Sequence, residues 1–229
     1  MSVFVIADLH LSLDGKKPMD VFPGWNDYVS RLEKNWRAIV SPEDTVVIAG
    51  DVSWAMKLED GERDFAFLHA LPGKKLLLKG NHDYWWSTRK KIETFFLERG
   101  FSSLSLVHNN AVPVDDIAVC GTRGWLYNAA TPEDVKIVNR EVGRLTASLN
   151  EAEALGLRPV VFLHYPPLYD GQRCEEILSV LEERGVTDCY FGHIHGTQAA
   201  RRAMIGEYHG IRMHLISCDS VKFAPVLVR

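Results

Sequence analysis

The sequence of 229 residues contains no long apolar run, and this absence excludes a membrane-spanning helix. Such a helix needs about 18 or more consecutive apolar residues, and no stretch here approaches that length. The N-terminal run 3–7 is followed at once by Asp8 and then His10, and no basic stretch precedes it. We therefore expect neither a membrane contact nor a secretory signal peptide, and we predict a cytoplasmic protein.

Cysteine and positive charge are also scarce. The four cysteines, at positions 120, 174, 189 and 218, form no Cys-x-x-Cys pair, so the sequence predicts reduced thiols rather than a zinc knuckle or a redox motif. The 26 basic residues are outnumbered by 30 acidic ones, which gives a net charge of -4. A chain of this charge lacks the overall positive field that holds a long nucleic acid or an anionic membrane.

Repeats, low-complexity tracts and flexible linkers are absent as well, so we expect a single domain over residues 1–229. What the sequence does contain is a series of short apolar runs bounded by polar or glycine-containing turns. Runs this short, rich in Val and Ile, are typical of strands buried on both faces. The runs cover residues 3–7, 45–49, 75–79, 116–120, 160–164 and 188–192.

Helical patterns lie between these runs. Within residues 25–40, apolar side chains from Trp25 to Val40 recur at the spacing of one helix face. Further helices are predicted over residues 62–70, 86–99, 133–155 and 174–184. Strands that alternate with helices predict an α/β fold. The tail, residues 203–228, has the pattern of three consecutive antiparallel strands, so we expect two sheets packed face to face and flanked by helices.

Nitrogen and oxygen donors follow five of the strand-like runs. Ligands bind beyond the carboxyl ends of strands in open α/β sheets, so we expect one sheet edge to gather these donors. Side chains alternate along an extended chain, and Asp-x-His or His-x-His can therefore aim two donors at the same volume. The donors are Asp8, His10, Asp51, Asn81, His82, Asp83, His164, His193 and His195.

The chemistry of this donor set predicts a metal site. Carboxylate, imidazole and amide groups suit Mn, Fe, Zn, Co and Ni, and the lack of cysteine argues against a structural zinc site. The set contains more donors than one ion needs, whereas two ions that share a carboxylate would use them all. We therefore predict two divalent metal ions, with Mn²⁺ as the first candidate.

The order of these residues resembles the five-block signature of the calcineurin-like metallophosphoesterase superfamily. The blocks are Asp8-x-His10, Gly50-Asp51, Gly80-Asn81-His82-Asp83, His164 and Gly192-His193-x-His195. The resemblance implies a four-layer α/β/β/α sandwich with a dinuclear metal centre. It also implies that Asp8, His10 and His195 hold one metal, that Asn81, His164 and His193 hold the other, and that Asp51 bridges the two. His82 would be the catalytic histidine and Asp83 would orient it.

The function that the resemblance implies is hydrolysis of a phosphomonoester or phosphodiester. A hydroxide bridging the two metals would attack phosphorus, and His82 would assist the leaving group. The blocks do not separate monoesterase from diesterase action. Two alternatives remain open: a metal-dependent nuclease, and a metal-bound scaffold without enzymatic activity.

The sequence also offers three candidates for contact with the substrate. Trp54 and Trp85 lie near the metal blocks, where they either wall the site or stack on a ring of the substrate. Arg123 follows another strand-like run and is either a surface residue or a phosphate contact. We expect a small phosphate ester as substrate and not a long nucleic acid. The oligomeric state is left open.

Overall fold

The computed structural model describes residues 1–125 and 131–228. The strands within this part of the chain follow the predicted apolar runs closely and add several shorter ones. In chain order they are β1 (Val3–Ile6), β2 (Thr45–Ala49), β3 (Lys74–Leu78), β4 (Leu104–Leu106), β5 (Val112–Val114), β6 (Ile117–Thr122), β7 (Arg158–Leu163), β8 (Leu168–Tyr169), β9 (Gln172–Arg173), β10 (Asp188–Phe191), β11 (Gly206–Tyr208), β12 (Ile211–Leu215) and β13 (Val226–Leu227).

Five helices lie where the sequence predicts them, with ends shifted by a few residues: α1 (Tyr28–Ile39), α2 (Glu62–Ala70), α3 (Arg89–Glu98), α4 (Pro132–Ala154) and α5 (Glu175–Glu183). The structure adds the short α6 (Thr197–Ala200) and a 3₁₀ turn (Glu59–Gly61) that precedes α2. The longest helix, α4, begins with a capping box. The Thr131 hydroxyl accepts a hydrogen bond from the Asp134 backbone N–H, and the Asp134 carboxylate accepts one from Thr131.

Two large mixed sheets form the centre of the molecule. The first has the strand order β13-β1-β2-β3-β4, in which β1 to β4 are parallel and β13 is antiparallel to β1. The second has the order β11-β12-β10-β7-β6-β5, in which the four central strands are parallel and both edge strands are antiparallel. The strands β8 and β9 form a separate two-stranded hairpin.

The prediction of three consecutive antiparallel strands in the tail is only partly right. Strands β11 and β12 are antiparallel, but β12 runs parallel to β10, and β13 leaves for the first sheet. Between them the chain crosses from one sheet to the other, since the Ile216 backbone bonds to both Phe191 and Ala7. Phe223, in the same crossing segment, is buried in the core of the first sheet and its helices.

Buried apolar side chains form three layers, one between the two sheets and one between each sheet and its helices. Alternate residues of each central strand face opposite layers, because side chains alternate along a strand. Val46 and Ile48 pack with the helices α1 to α3, and Val47 faces the second sheet. On the far side Val161 and Leu163 pack against α4 and α5. The predicted α/β class with two mixed sheets flanked by helices is confirmed.

The topology places the carboxyl ends of the parallel strands at one edge of the sandwich. The loops after β1, β2 and β3 leave the first sheet there, and those after β7 and β10 leave the second. This edge is therefore where the sequence-predicted donors meet. None of the helices in the described ranges is long and apolar enough to cross a membrane.

Candidate metal centre

One group of donors joins the loops after β1 and β10. Ligand atoms of Asp8, His10 and His195 all lie within 4.8 Å of one another. The Nε2 atoms of the two histidines are 3.3 Å apart, and His195 Nε2 lies 3.9 Å from Asp8 Oδ1. Three donors that converge from two sheets on so small a volume form a half-shell suited to one cation.

A second group adjoins the first and shares Asp8 with it. Its members are Asp8, Asp51 and His164, again with ligand atoms within 4.8 Å of one another. Asp51 Oδ2 lies 3.4 Å from His164 Nε2 and 3.6 Å from His10 Nε2, so it stands between a histidine of each group. Asn81 extends the second group, because its Oδ1 lies 2.6 Å from His164 Nε2.

His193 lies beside these groups and belongs to neither of them. Its ring centroid is 5.1 Å from that of His164 and 4.3 Å from that of Tyr165. Its backbone N–H donates to Asp8 Oδ2 at 2.8 Å. Burial, followed by the charges of His195 and His82, lowers the pKa of His193 to about 4, so its ring is neutral and has a lone pair to offer.

Hydrogen bonds behind two histidines fix which nitrogen faces the centre. His164 Nδ1 lies 3.2 Å from the Ala49 carbonyl, which can only accept, so Nδ1 carries the proton and Nε2 is free to bind a cation. His195 Nδ1 lies 3.0 Å from Asp219 Oδ1, and Asp219 Oδ2 accepts from the Gly196 N–H at 2.8 Å. Asp219 is therefore a positioning residue that the sequence analysis missed.

The electrostatics of the site fit a divalent cation. Asp8 Oδ1 is buried and has no hydrogen-bond partner within the described residues. Burial raises the pKa of Asp8 to about 6, and burial together with the charges of Asp83 and Asp8 raises that of Asp51 to about 9. A cation would reverse both shifts. Burial also lowers the pKa values of His10 and His164, and metals bind the neutral form of imidazole.

The backbone at four of these positions is strained. Asp8, His10, Asp51 and His193 have φ values of 62°, 46°, 50° and 71°, in the left-handed region that residues other than glycine rarely adopt. Strain of this kind concentrates at functional sites, where the surrounding structure enforces it. Glycine is needed next to them, since a Cβ at Gly80 would lie 2.1 Å from Asp51 Oδ1.

His82 lies on the half-exposed side of the donors. Its backbone N–H donates to Asp51 Oδ1 at 2.8 Å, while its ring packs at a tilt against Trp54, with centroids 4.4 Å apart, and lies 5.6 Å from the ring of His10. Its Nδ1 is 3.3 Å from the Tyr84 hydroxyl. The imidazole is thus held over the donor groups without being one of them.

Asp83 does not occupy the position that the sequence analysis assigned to it. The predicted role was to orient His82, but the Asp83 carboxylate is buried and bonds elsewhere. Its Oδ1 accepts from the backbone of Val52 and from Trp85 Nε1, both at 2.9 Å, and its Oδ2 accepts from Gly80 N–H at 2.7 Å. Asp83 therefore ties the loop after β3 to the loop after β2, and this tie positions Asp51 and Asn81.

The three predicted substrate contacts have different surroundings. Trp85 is only 2% exposed and packs against Phe65 at 4.8 Å, so of the two alternatives for this residue the burial favours a structural role over stacking on substrate. Trp54 is half-buried and stacks on His10 with ring centroids 4.9 Å apart, which leaves it at the wall of the site. The Arg123 carbonyl accepts from the backbone N–H of His164 at 3.2 Å, and its guanidinium stacks on Trp125.

Comparisons with known proteins agree with this geometry. The model of the calcineurin-like phosphoesterase family matches residues 1–197. None of the curated proteins matches the chain. Among solved structures, a protein from Thermus thermophilus has a TM-score of 0.59 at 13% identity, with 99% of this chain and 97% of that chain covered.

Two further solved structures have a similar fold. The phosphopantetheinyl hydrolase from Mycobacterium tuberculosis has a TM-score of 0.57 at 13% identity, and a protein of unknown function from Aquifex aeolicus has 0.55 at 16% identity. Each comparison covers 99% of this chain and 95% of the other. At such low identity these likenesses concern the fold alone.

Proposed function

The chain belongs to the calcineurin-like phosphoesterase family and is a hydrolase acting on ester bonds, and from that premise we propose that it cleaves a small phosphate ester with two divalent cations. The observation that carries this proposal is the position of Asp51. One oxygen of this carboxylate lies within 3.6 Å of Nε2 of His10 and of His164, one histidine from each donor group, which supports a ligand shared by both cations.

The residues divide between the two cations as follows. As the family signature implies, Asp8, His10 and His195 would hold one cation, Asn81 and His164 would hold the other together with the adjacent His193, and Asp51 would contribute to both. When bound, the two cations activate a water molecule and neutralise phosphate oxygens. The protein's own contribution is to keep the histidines neutral by burial and to aim them through Ala49 and Asp219.

His82 acts on the leaving group. The contact with Tyr84 engages Nδ1, and Nε2 has no hydrogen-bond partner within the described part of the chain, so Nε2 is the atom that faces the substrate. It donates a proton or hydrogen bond to the departing oxygen, an effect typically worth about 10²–10⁴ in rate. Trp54, which stacks on His10 and contacts His82 at a tilt, restricts the His82 ring and bounds the site.

Asp51→Asn tests the shared ligand. The substitution keeps the shape of the side chain but removes the charge, so bound metal and hydrolysis of p-nitrophenyl phosphate should fall together. Asp116→Asn, at an exposed turn between β5 and β6, is the matched control and should keep both. A variant at Asp51 that retains two ions per chain and full turnover would refute the bridging role. The readouts are metal analysis of the purified protein and initial rates with added Mn²⁺.

The substrate is compact. The net charge of -4 repels long polyanions away from the metal centre, and aromatic residues bound the site. Catalytic efficiency on a mononucleotide ester should therefore exceed that on a long oligonucleotide at two salt concentrations. If the oligonucleotide is preferred and salt abolishes the preference, a nuclease that follows the nucleic-acid backbone is the better assignment.

A substrate screen should also include a phosphopantetheinyl ester, since one protein of similar fold is a phosphopantetheinyl hydrolase. Nucleotide, sugar-phosphate and phospholipid-headgroup esters complete the set, each assayed as monoester and as diester. The compartment proposed for this chemistry is the cytoplasm, and the domain proposed to perform it is the whole of residues 1–229.

A further inference from the structure

A cavity of about 280 Å³ opens beside the metal centre and is not part of it. It lies at the same edge of the sandwich, where residues that follow β3, β4 and β6 meet the first turn of α3 and one side chain of α4. The lining includes the polar side chains of Lys79, Thr88, His108, Arg123 and Arg144. The strand ends thus form two neighbouring sites, one lined by metal-binding side chains and the other by basic side chains.

Positive charge is in excess in the lining of this cavity. Lys79, Arg123 and Arg144 line it, and no acid among the described residues does; the wholly buried Glu141 lies behind, with its Oε1 2.6 Å from Arg144 and 3.8 Å from Arg123, and Asp83, whose oxygens are held by N–H donors, also acts on Lys79. Glu141 holds both guanidinium groups in place but neutralises only one charge. Lys79 forms no ion pair with any residue in the described ranges. The lining formed by the described part of the chain therefore carries three basic groups and no acid, in a chain whose overall charge is negative.

Two nitrogen atoms at the cavity are buried without a hydrogen-bond partner in the described part of the chain. They are Arg123 Nε and His108 Nδ1. Buried polar atoms are rarely left unpaired, and each such atom in a native structure points to a missing partner. Burial, and then the charges of Arg144, Arg89 and Lys79, lowers the pKa of His108, as expected in a positive potential.

The cavity is close enough to the metal centre for one molecule to reach both. Lys79 precedes Asn81 by two residues, so their Cα atoms are at most about 7 Å apart. Arg123 is joined directly to the centre, because its carbonyl accepts the backbone N–H of His164. The volume is slightly below the roughly 300–1,000 Å³ of whole-ligand pockets, which suits one charged group and not an entire substrate.

We propose that this cavity binds a second phosphate group carried by the same small substrate whose first phosphate is cleaved at the metal centre. The inference rests on the proposed function and narrows it to compact substrates with two phosphate groups. Arg123 and Arg144 present planar guanidinium groups that match phosphate oxygens, and Lys79 adds a point charge. Thr88 and His108 supply further polar groups in the lining.

Calorimetry with inorganic phosphate tests the anion site without relying on turnover. The metal-loaded protein should bind two phosphate ions per chain, one at each site, and Lys79→Gln and Arg144→Gln should each bind one fewer. Lys90→Gln, an exposed lysine on α3, is the matched control and should bind as the wild type does. Equal stoichiometry in all four proteins would overturn the proposal. If the metal centre is misassigned, the wild type binds one ion and the cavity variants none, which separates the two failures.

Kinetics then decide whether the second phosphate belongs to the substrate. The quantity is the ratio of kcat/KM for a doubly phosphorylated substrate to that for p-nitrophenyl phosphate. A ratio well above one in the wild type that falls about tenfold in Lys79→Gln or Arg144→Gln, and not in Lys90→Gln, supports the proposal. If phosphate binds in the cavity but the ratio is unchanged by the variants, the cavity holds a free anion and the proposed substrate class is wrong.

Discussion

Single side chains in this protein are controlled by the groups behind them. His164 and His195 present Nε2 to the centre because Ala49 and Asp219 engage their Nδ1 atoms. Asp83, which lies next to the catalytic candidate His82, acts on loops and not on the imidazole. At this scale the chemistry depends on which atom of a side chain is engaged in a hydrogen bond and which is free to bind a metal or the substrate. Two variants test that dependence.

The first variant is His82→Ala. It should keep its metals, since His82 is not in either donor group, and lose about 10²–10⁴ in rate, or roughly 3–5 kcal/mol of transition-state stabilisation. The loss should be greatest for alkyl phosphates and smaller for nitrophenyl esters, whose leaving group needs no proton. Steady-state rates on both substrates and metal analysis provide the check. An equal loss on both, or a loss of metal, contradicts a role at the leaving group.

The second variant is Asp219→Ala, which frees Nδ1 of His195. Loss of such a hydrogen bond behind a ligand typically weakens metal affinity about 10–100-fold, and titration with Mn²⁺ should reveal a shift of that size. Asp219→Asn retains an acceptor and should recover part of the affinity, which a merely structural role would not predict. Asp170→Ala, an exposed acid paired with Arg202, is the control. Unchanged affinity in Asp219→Ala would exclude the positioning role.

At the scale of elements, side-chain ion pairs reinforce the pairing of strands, and the clearest case is the pairing of β10 with β12. Asp188 and Arg212 are partners in this parallel pair, and their side chains form two hydrogen bonds of 2.8 and 2.6 Å. Burial alone would raise the pKa of Asp188, but the bonds from Arg212, Thr187 and His214 hold it below its ordinary value. The ion pair therefore favours the register in which these strands meet.

Arg212→Gln should weaken the pairing of β10 with β12, because the buried Asp188 carboxylate loses two charge-assisted hydrogen bonds from the exposed Arg212. Tm should therefore fall at neutral pH. Because the pKa of Asp188 is lowered in the folded state, its ionised form stabilises the fold above about pH 4, and this stabilisation is lost as the pH falls through the folded pKa. The difference in Tm between Arg212→Gln and the wild type should therefore shrink in acid. Thermal unfolding from pH 3 to 7 measures it, with Arg202→Gln as a surface-pair control. A difference that stays constant with pH would contradict the argument.

The long elements could be predicted from sequence because their signals are local. The runs at 45–49 and 75–79 are apolar throughout, and the helix at 62–70 is bounded by turns, so length and periodicity suffice. Strands β4 and β5 have three residues each and leave no period to detect. The partner of β13 was missed for another reason: a strand's pattern records which faces are buried but not which neighbour covers its edge.

The donor set could be predicted because each member directly follows a strand, where position along the chain determines position in space. Asp219 also follows a strand, β12. It was missed because the tail was predicted to be antiparallel, which did not place the carboxyl end of β12 at the edge of the sheet where the metal donors lie. The surroundings of Asp83 and Trp85 could not be predicted in this way, because the loop after β3 is irregular and neither the family resemblance nor strand alternation gives side-chain direction in a loop. The order of residues in the sequence thus predicts which residues lie near one another better than it predicts which side chains are in contact.

At the scale of the molecule, three apolar layers enclose a polar edge that carries buried negative charge. Asp8, Asp51 and Asp83 are all less than 2% exposed. N–H donors satisfy both oxygens of Asp83, whereas Asp8 Oδ1 has no hydrogen-bond partner within the described residues, and an uncompensated buried charge is strongly unfavourable. Bound cations are therefore expected to contribute to the stability of the whole fold as well as to its chemistry.

Removal of metal should lower Tm. Saturation at about 100 times Kd stabilises a protein by roughly 2.7 kcal/mol, which for this size corresponds to about 5–10 °C. Scanning calorimetry before and after chelation, with Mn²⁺ added back, measures the change. Asp51→Asn, which has already lost a shared ligand, should respond less to the chelator. An identical Tm with and without metal would show that the buried acids do not depend on cations.

The left-handed backbone at Asp8, His10, Asp51 and His193 lowers the stability of the protein at positions that its activity requires, so selection for stability and selection for activity favour different residues there. Each strained position costs at least about 1 kcal/mol, so together they consume a sizeable share of the roughly 5–15 kcal/mol that holds a domain folded. Glycine at any of them would relieve the backbone and delete a ligand in one step. A mutant library screened only for survival of heating, without metal, would accordingly enrich glycine at these positions, and the survivors would be hardier proteins that had ceased to be enzymes.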